Sequence, residues 1–114
     1  MEFPNKNELE TFLDVATEAA MTAGIILEDL VGQLEKIEEK GRPGDLVTEA
    51  DKKAETTVLN ILKRRVPQHQ ILAEESGKIG ETNSDYLWAI DPLDGTTNYA
   101  HGYPASAVSV GLLW

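Results

Sequence analysis

Apolar residues in the first forty positions follow the period of an α-helix. They recur three or four residues apart, which keeps one face of a helix apolar. That face is formed by Leu9, Phe12, Leu13, Ala16, Ala19, Ala20, Ala23, Leu27, Leu30, Leu34 and Ile37. Asn7, with Glu10 three residues later, is typical of a helix start, and Gly41 with Pro43 is typical of a helix end. The pattern predicts one long amphipathic helix over residues 7–40.

A second helix is predicted over residues 48–65, where apolar residues again recur at helical spacing and Pro67 follows the pattern. Beyond this helix the period shortens. Short apolar or alternating runs predict three strands, at residues 70–73, 86–90 and 105–112. The last run ends near Trp114 without a turn signal or a covering element, and uncovered strand edges invite pairing. We therefore expect residues 1–114 to be the amino-terminal part of a single larger domain.

Composition restricts the class of protein. The chain has 114 residues, of which 41% are hydrophobic, enough for one domain or part of one. Its 20 acidic and 10 basic residues give a net charge of −10, which disfavours nucleic acid and anionic membranes as partners. It has no cysteine, which excludes disulfides, thiolate zinc sites and cysteine nucleophiles. Without an apolar run of membrane length or a secretory signal, a soluble cytoplasmic protein is expected.

Acidic residues directly follow two of the predicted strands. The stretch 91–98, DPLDGTTN, follows the strand at 86–90. Two carboxylates three positions apart on a proline-stiffened turn can converge on a hard cation, and the Leu93 carbonyl can add an oxygen ligand. Gly95 permits close approach of the backbone, and the amides that follow can open a helical turn that receives a phosphate. The sequence thus favours a metal and an anion on one loop.

Three other interpretations of this stretch are possible. An aspartate that caps a short helix, with Pro and Gly setting the backbone, is the structural alternative. The second acidic pair, Glu74 and Glu75, favours the metal site, although Glu75 also fits a solvated neighbour. A haloacid-dehalogenase-type motif has one residue between its aspartates, whereas two separate Asp91 from Asp94. An EF-hand needs glycine at its sixth position, and Gly95 would stand at the fifth.

The remaining polar candidates favour structural roles. Thr48 with Asp51 three residues later is typical of a capping box at the start of the second helix, and acid in a first turn is favourable in any case. From the pattern alone, Asp51 is more often a cap than a catalytic residue. His69 and His101 have no second histidine at metal-ligand spacing. We interpret both as structural or surface residues.

Three blocks resemble the inositol monophosphatase family in order and spacing. They are DLVTEAD at 45–51, ILAEES at 71–76 and WAIDPLDGTTN at 88–98. The third block continues into the last predicted strand, also as in the family. GRPGD at 41–45 and YAH at 99–101 are most similar to its cyanobacterial and plastid members.

The resemblance implies a fold and an activity. The fold is a layered α/β sandwich in which two long amino-terminal helices pack on a mainly antiparallel sheet, incomplete in this chain. The implied activity is Mg²⁺-dependent hydrolysis of a phosphomonoester, with inositol monophosphate as the substrate. The resemblance also implies that the complete protein is a homodimer. Fructose 1,6-bisphosphate, histidinol phosphate and nucleoside bisphosphates are alternative substrates. A non-catalytic binding role is a further alternative, because some bacterial members resemble partners of the transcription machinery.

The resemblance also implies roles for individual residues. Magnesium is bound by Glu74, Asp91, the Leu93 carbonyl and Asp94. Substrate is contacted by Glu74, Leu93, Asp94, Gly95 and Thr96, with the phosphate on the backbone amides of the last two. Asp51 and Thr96 form a pair that, with Glu74, orients and deprotonates the attacking water. The family's later aspartate block, which completes the second metal site, is absent from this sequence.

Overall fold

The computed structural model describes residues 3–32, 37–39, 46–80, 83–103 and 105–114. Three helices and six strands lie in these ranges. In chain order they are α1 Lys6–Leu30, β1 Ile37–Glu39, β2 Leu46–Thr48, α2 Glu49–Arg65, β3 Gln70–Ala73, β4 Gly77–Ile79, β5 Leu87–Asp94, α3 Thr96–Ala100 and β6 Ala107–Leu113. None of the helices described combines the length and the apolar character needed to cross a bilayer.

The prediction for α1 was wrong at both ends. Asn5 caps the helix through the Glu8 N–H at 2.9 Å, so the earlier of two Asn-x-x-Glu pairs forms the capping box. At the other end α1 stops at Leu30, followed by Gly32 at φ 76°, a left-handed conformation that commonly ends helices. Ile37–Glu39 is a strand that pairs antiparallel with β2. The expected end signals at 41 and 43 lie outside the described residues.

The buried stripe of α1 is narrower than predicted. Leu9 and Leu13 are exposed, and the stripe that faces the core repeats every fourth residue. It consists of Val15, Ala19, Ala23 and Leu27. Two of the four are alanines, whose small side chains allow the helix backbone to approach its neighbours closely.

The prediction for α2 is confirmed at both ends, since it begins after Thr48 and ends at Arg65. The helix packs along α1 and lies over β5, while α1 lies over β6. Its buried residues include two carboxylates as well as apolar side chains. They are Ala50, Asp51, Ala54, Glu55, Val58, Leu59, Ile61 and Leu62.

Four strands form the main sheet in the order β4-β3-β5-β6. β3 pairs with β5 in parallel, while β4 and β6 pair antiparallel at the two edges. Ile71, Trp88 and Ile90 are buried towards the helices, whereas Leu72 on the opposite face is 39% exposed. The result is a layered α/β arrangement with a mainly antiparallel sheet, as the resemblance implied.

Candidate active site

β5 contains a bulge between Asp91 and Asp94. Asp91 pairs with Ser109 and Asp94 with Ala107, so three steps along β5 match two along β6. In a regular strand, side chains three positions apart point to opposite faces, and one extra residue returns them to the same face. The bulge therefore directs both carboxylates to the face away from the helices.

Burial along β5 agrees with this geometry. The two residues between the aspartates, Pro92 and Leu93, are both buried, whereas Asp94 is exposed. Proline has no N–H to donate and is tolerated in a strand at such an irregularity. The prediction of a proline-stiffened turn was wrong, because the strand continues through the motif to Asp94 and a bulge turns both carboxylates to one face.

Glu74 lies beside Asp91 because of the parallel pairing of β3 and β5. Ala73, the last residue of β3, is opposite Ile90. The Glu74 N–H donates to the Ile90 carbonyl at 3.3 Å and continues this register for one more residue. Glu74 and Asp91 line the same open cavity of about 500 Å³, together with Ser109.

Gly95 connects β5 to α3 in a conformation that other residues rarely adopt. Its φ is 86°, and an added Cβ would lie 2.6 Å from the Ala105 carbonyl oxygen. Both the left-handed backbone and the close approach therefore require glycine. The Gly95 carbonyl accepts the Tyr99 N–H at 2.9 Å, which closes the first turn of α3.

Asp51 is both a helix cap and a partner of Thr96. It is 2% exposed, and its Oδ2 accepts from the Thr48 N–H at 2.9 Å and from the Thr48 hydroxyl at 2.6 Å. Its Oδ1 accepts from the Thr96 hydroxyl at 2.8 Å, while the Leu93 carbonyl lies 3.2 Å from the same hydroxyl oxygen. With its hydrogen directed to Asp51, the Thr96 oxygen keeps lone pairs that can accept a hydrogen bond from water.

Tyr99 anchors α3 to the end of α1. It is 4% exposed, and its hydroxyl donates to the Leu27 carbonyl at 2.7 Å. Burial, and then the negative charges of Asp51 and Glu49, raise the pKa of Tyr99 and keep the phenol neutral as a donor. The sequence pattern does not predict this contact, because nothing in the spacing of Tyr99 distinguishes it.

Glu55, which was not among the predicted site residues, holds the turn after β3. Its side chain is 4% exposed, and Oε1 accepts the Glu75 N–H at 2.9 Å. The other oxygen accepts from the Ser76 hydroxyl. Its position four residues after Asp51, on the same face of a helix, is the one signal in the sequence that pointed to it.

The two histidines occupy a structural and a surface position, as predicted. His69 Nδ1 accepts the Trp88 indole N–H at 2.9 Å, and its ring packs against Phe12 and Tyr86. Burial lowers the pKa of His69, since the charged ring would lose hydration. His101 is exposed at the end of α3.

The donor chemistry of this edge of the sheet fits magnesium. Glu74, Asp91, the Leu93 carbonyl and Asp94 offer hard oxygen atoms, and magnesium commonly takes one or two carboxylates together with water and phosphate. Across the described ranges, no three His, Cys, Asp or Glu side chains form a group that could hold a metal ion. The chain therefore presents neighbouring carboxylates rather than a closed cage.

The layered α/β fold thus places carboxylates at the ends of two parallel strands, with the buried Asp51–Thr96 pair just beyond the second. Residues 8–114 match the family model described as the inositol monophosphatase family, and the chain belongs to this family. Members act on small phosphate substrates. The family predicted from the three sequence blocks is thereby confirmed.

Relatives and solved structures agree with this assignment. An inositol-1-monophosphatase of Synechocystis sp. is 58% identical over 107 residues, which cover 94% of this chain and 37% of that protein. Phosphatase IMPL1, chloroplastic, of Arabidopsis thaliana is 50% identical over 102 residues, 90% of this chain and 27% of that one. The similarity to cyanobacterial and plastid members was also predicted.

Among solved structures, the inositol monophosphatase of Anabaena (Nostoc) sp. is 56% identical with a TM-score of 0.75, over 92% of this chain and 36% of that one. An IMPase/NADP phosphatase complexed with Mg²⁺ and phosphate is 25% identical with a TM-score of 0.73, over 95% and 40% of the two chains. The chain thus spans well under half the length of the proteins that it matches.

Proposed function

We propose that this chain is the amino-terminal part of a single-domain, Mg²⁺-dependent phosphomonoester hydrolase whose substrate is inositol monophosphate. The observation that carries the proposal is the 2.8 Å hydrogen bond from Thr96 to the buried Asp51, next to the carboxylates of the bulge. Membership of a generally magnesium-dependent family supports the cofactor. The name of the Synechocystis relative supports the substrate.

Magnesium would be held by Glu74, Asp91, the Leu93 carbonyl and Asp94, which lie at the carboxyl ends of β3 and β5. When bound, the cation neutralises phosphate charge and acidifies a coordinated water. Such a cation would offset the negative charge of the chain, −10 in total, where an anionic substrate binds.

The chain's own residues would orient the water and the phosphate. Because Asp51 accepts the Thr96 hydrogen, the Thr96 oxygen can accept a hydrogen bond from the attacking water, with Glu74 as its second acceptor. The backbone amides of Gly95 and Thr96 would bind the phosphate at the start of α3, next to Asp94 and the Leu93 carbonyl. None of the residues assigned a role here would act as a nucleophile, and the water would attack phosphorus directly.

Titration of Mg²⁺ into the chain, followed by calorimetry, tests the metal site. We expect binding to the unaltered chain and its loss in Asp91→Asn, which removes one negative charge at the bulge. Asp85→Asn is the matched control, because Asp85 is exposed and precedes the opposite end of β5. Absence of binding to the unaltered chain, or equal loss in both variants, would contradict the proposed metal site.

The assay that identifies the substrate requires the protein that contains this chain. Assayed with Mg²⁺ on inositol 1-phosphate, fructose 1,6-bisphosphate, histidinol phosphate and a nucleoside 3′,5′-bisphosphate, it should hydrolyse inositol 1-phosphate best. If inositol 1-phosphate were the poorest substrate, the substrate assignment would be wrong. A homodimer and a cytoplasmic location stay predictions, and one relative is named chloroplastic.

A further inference from the structure

Helix α2 presents two buried carboxylates on one face, four positions apart. Asp51 is 2% and Glu55 is 4% exposed. Residues at this spacing lie one above the other on a helix. Asp51 accepts from Thr96, which follows β5, and Glu55 accepts from the turn that follows β3. One helix face thus contacts both segments that carry the candidate active site.

The contacts of Glu55 indicate what its burial achieves. Removing a carboxylate from water is unfavourable unless hydrogen bonds replace the lost hydration. Both of its oxygens are used, one by the Glu75 N–H at 2.9 Å and the other by the Ser76 hydroxyl. Its neighbours on α2, Ala54 and Val58, are apolar and fully buried, so an apolar side chain would suit the packing here. Packing of the helix therefore does not account for a carboxylate at this position.

We infer that Glu55 is a positioning residue that fixes the turn at residues 74–76 and, through it, the direction of the Glu74 carboxylate. The Glu74 backbone is held on one side by Ile90, through the hydrogen bond at 3.3 Å. Glu55 holds the next two residues from the side of the helix. The inference rests on the proposed function, in which Glu74 binds metal and faces the attacking water.

Two substitutions separate the hydrogen bonds from the volume of the side chain. Glu55→Gln keeps an oxygen for the Glu75 N–H and offers an amide N–H to the Ser76 oxygen, so both contacts can persist. Glu55→Met keeps a similar volume and removes both acceptors. Leu62→Ala is the matched control, because Leu62 is fully buried on the same helix, about two turns beyond Glu55.

Amide hydrogen exchange measures the turn directly. In Glu55→Met we expect the Glu75 amide to exchange about 10- to 100-fold faster, the loss expected for a hydrogen bond to a charged acceptor, with amides in the centre of α2 little changed. In Glu55→Gln, exchange at Glu75 should stay close to that of the unaltered chain. If Glu55→Met leaves this amide protected, or if Leu62→Ala exposes it equally, the inference is overturned.

Binding of Mn²⁺, followed by water proton relaxation, tests the consequence for the metal site. Carboxylate and carbonyl sites that suit Mg²⁺ also suit Mn²⁺. We expect about tenfold weaker affinity in Glu55→Met, as for other residues that orient metal ligands, and recovery in Glu55→Gln. Unchanged affinity in Glu55→Met, with binding abolished in Asp91→Asn, would overturn the inference and leave the proposed function standing. If the unaltered chain bound no Mn²⁺, the proposed metal site would fail, and exchange at Glu75 would decide the role of Glu55.

Discussion

α1 and α2 are both amphipathic helices packed on the same sheet, but their acidic residues lie in different places. On α1, Asp14 and Glu18 are at the surface and form ion pairs with arginines at the end of α2. Exposed pairs of this kind contribute at most about 1 kcal/mol. On α2, Asp51 and Glu55 are buried and bind the segments that follow two strands. On these two helices, burial rather than the number of charges separates the acids that hold the segments of the candidate site from the acids that pair at the surface.

The largest effect should follow from replacing the buried acid that contacts Thr96. In the protein that contains this chain, Asp51→Asn should lower hydrolysis of inositol 1-phosphate by about 10²- to 10⁴-fold, the usual contribution of a positioned proton acceptor. Asp14→Asn makes the same chemical change on the surface of α1 and should leave the rate unchanged. The rates of both variants are to be measured under identical conditions. If Asp51→Asn kept its activity, the difference between the two helices would be structural only.

Apolar residues of the two helices should behave alike, in contrast to the acids. Leu27→Ala on α1 and Leu62→Ala on α2 each remove a buried leucine side chain. We expect each to lower the free energy of unfolding by about 2 to 5 kcal/mol, with the larger loss at the fully buried Leu62. Urea unfolding followed by circular dichroism measures both. A loss in only one variant would show that only one helix is firmly packed.

A smaller effect on the free energy of unfolding is expected from His69, a titrating residue in contact with α1. Phe12 packs against His69, whose pKa is lowered from its ordinary value of 6.5 by burial. The unfolded chain therefore takes up a proton at a higher pH than the folded chain, so the free energy of unfolding falls as the pH drops through about 6.5. Urea unfolding at about pH 7.5 and about pH 5.5 should show this loss.

His69→Gln is the control for this pH dependence. Glutamine does not titrate, and its side-chain oxygen can still accept the Trp88 N–H. The loss of stability on acidification should therefore be smaller in His69→Gln than in the unaltered chain. Equal losses in the two chains would assign the pH dependence to other groups.

Predictability from the sequence differs between the same two helices. The start of α2 was predictable because Thr48 and Asp51 form a local capping box, and its end because Pro67 follows closely. The end of α1 was not, because apolar residues continue at helical spacing into a segment that forms a strand. Pairing of that strand with β2 is a tertiary contact, which local periodicity does not contain.

The candidate site shows the same limit. Carboxylates at strand ends were found from their order along the chain, and the pairing of Asp51 with Thr96 only from the family resemblance. Pro and Gly in the local pattern predict a turn at this position. The pairing of β6 with β5 instead produces a bulge between Asp91 and Asp94. Glu55 was missed because an acid on a helix is usually solvated, and its burial depends on a turn twenty residues away.

The contact between Asp51 and Thr96 also has a consequence for the order of folding. It joins residues 45 positions apart, while each capping contact of α2 spans only three. Closing such a long loop costs entropy before the contact can form, so local structure precedes it. During synthesis, Asp51 can cap its helix as soon as that helix emerges, but it cannot bind Thr96 until β5 has left the ribosome and docked. The same carboxylate is therefore an early stabiliser of its helix and a late partner of Thr96.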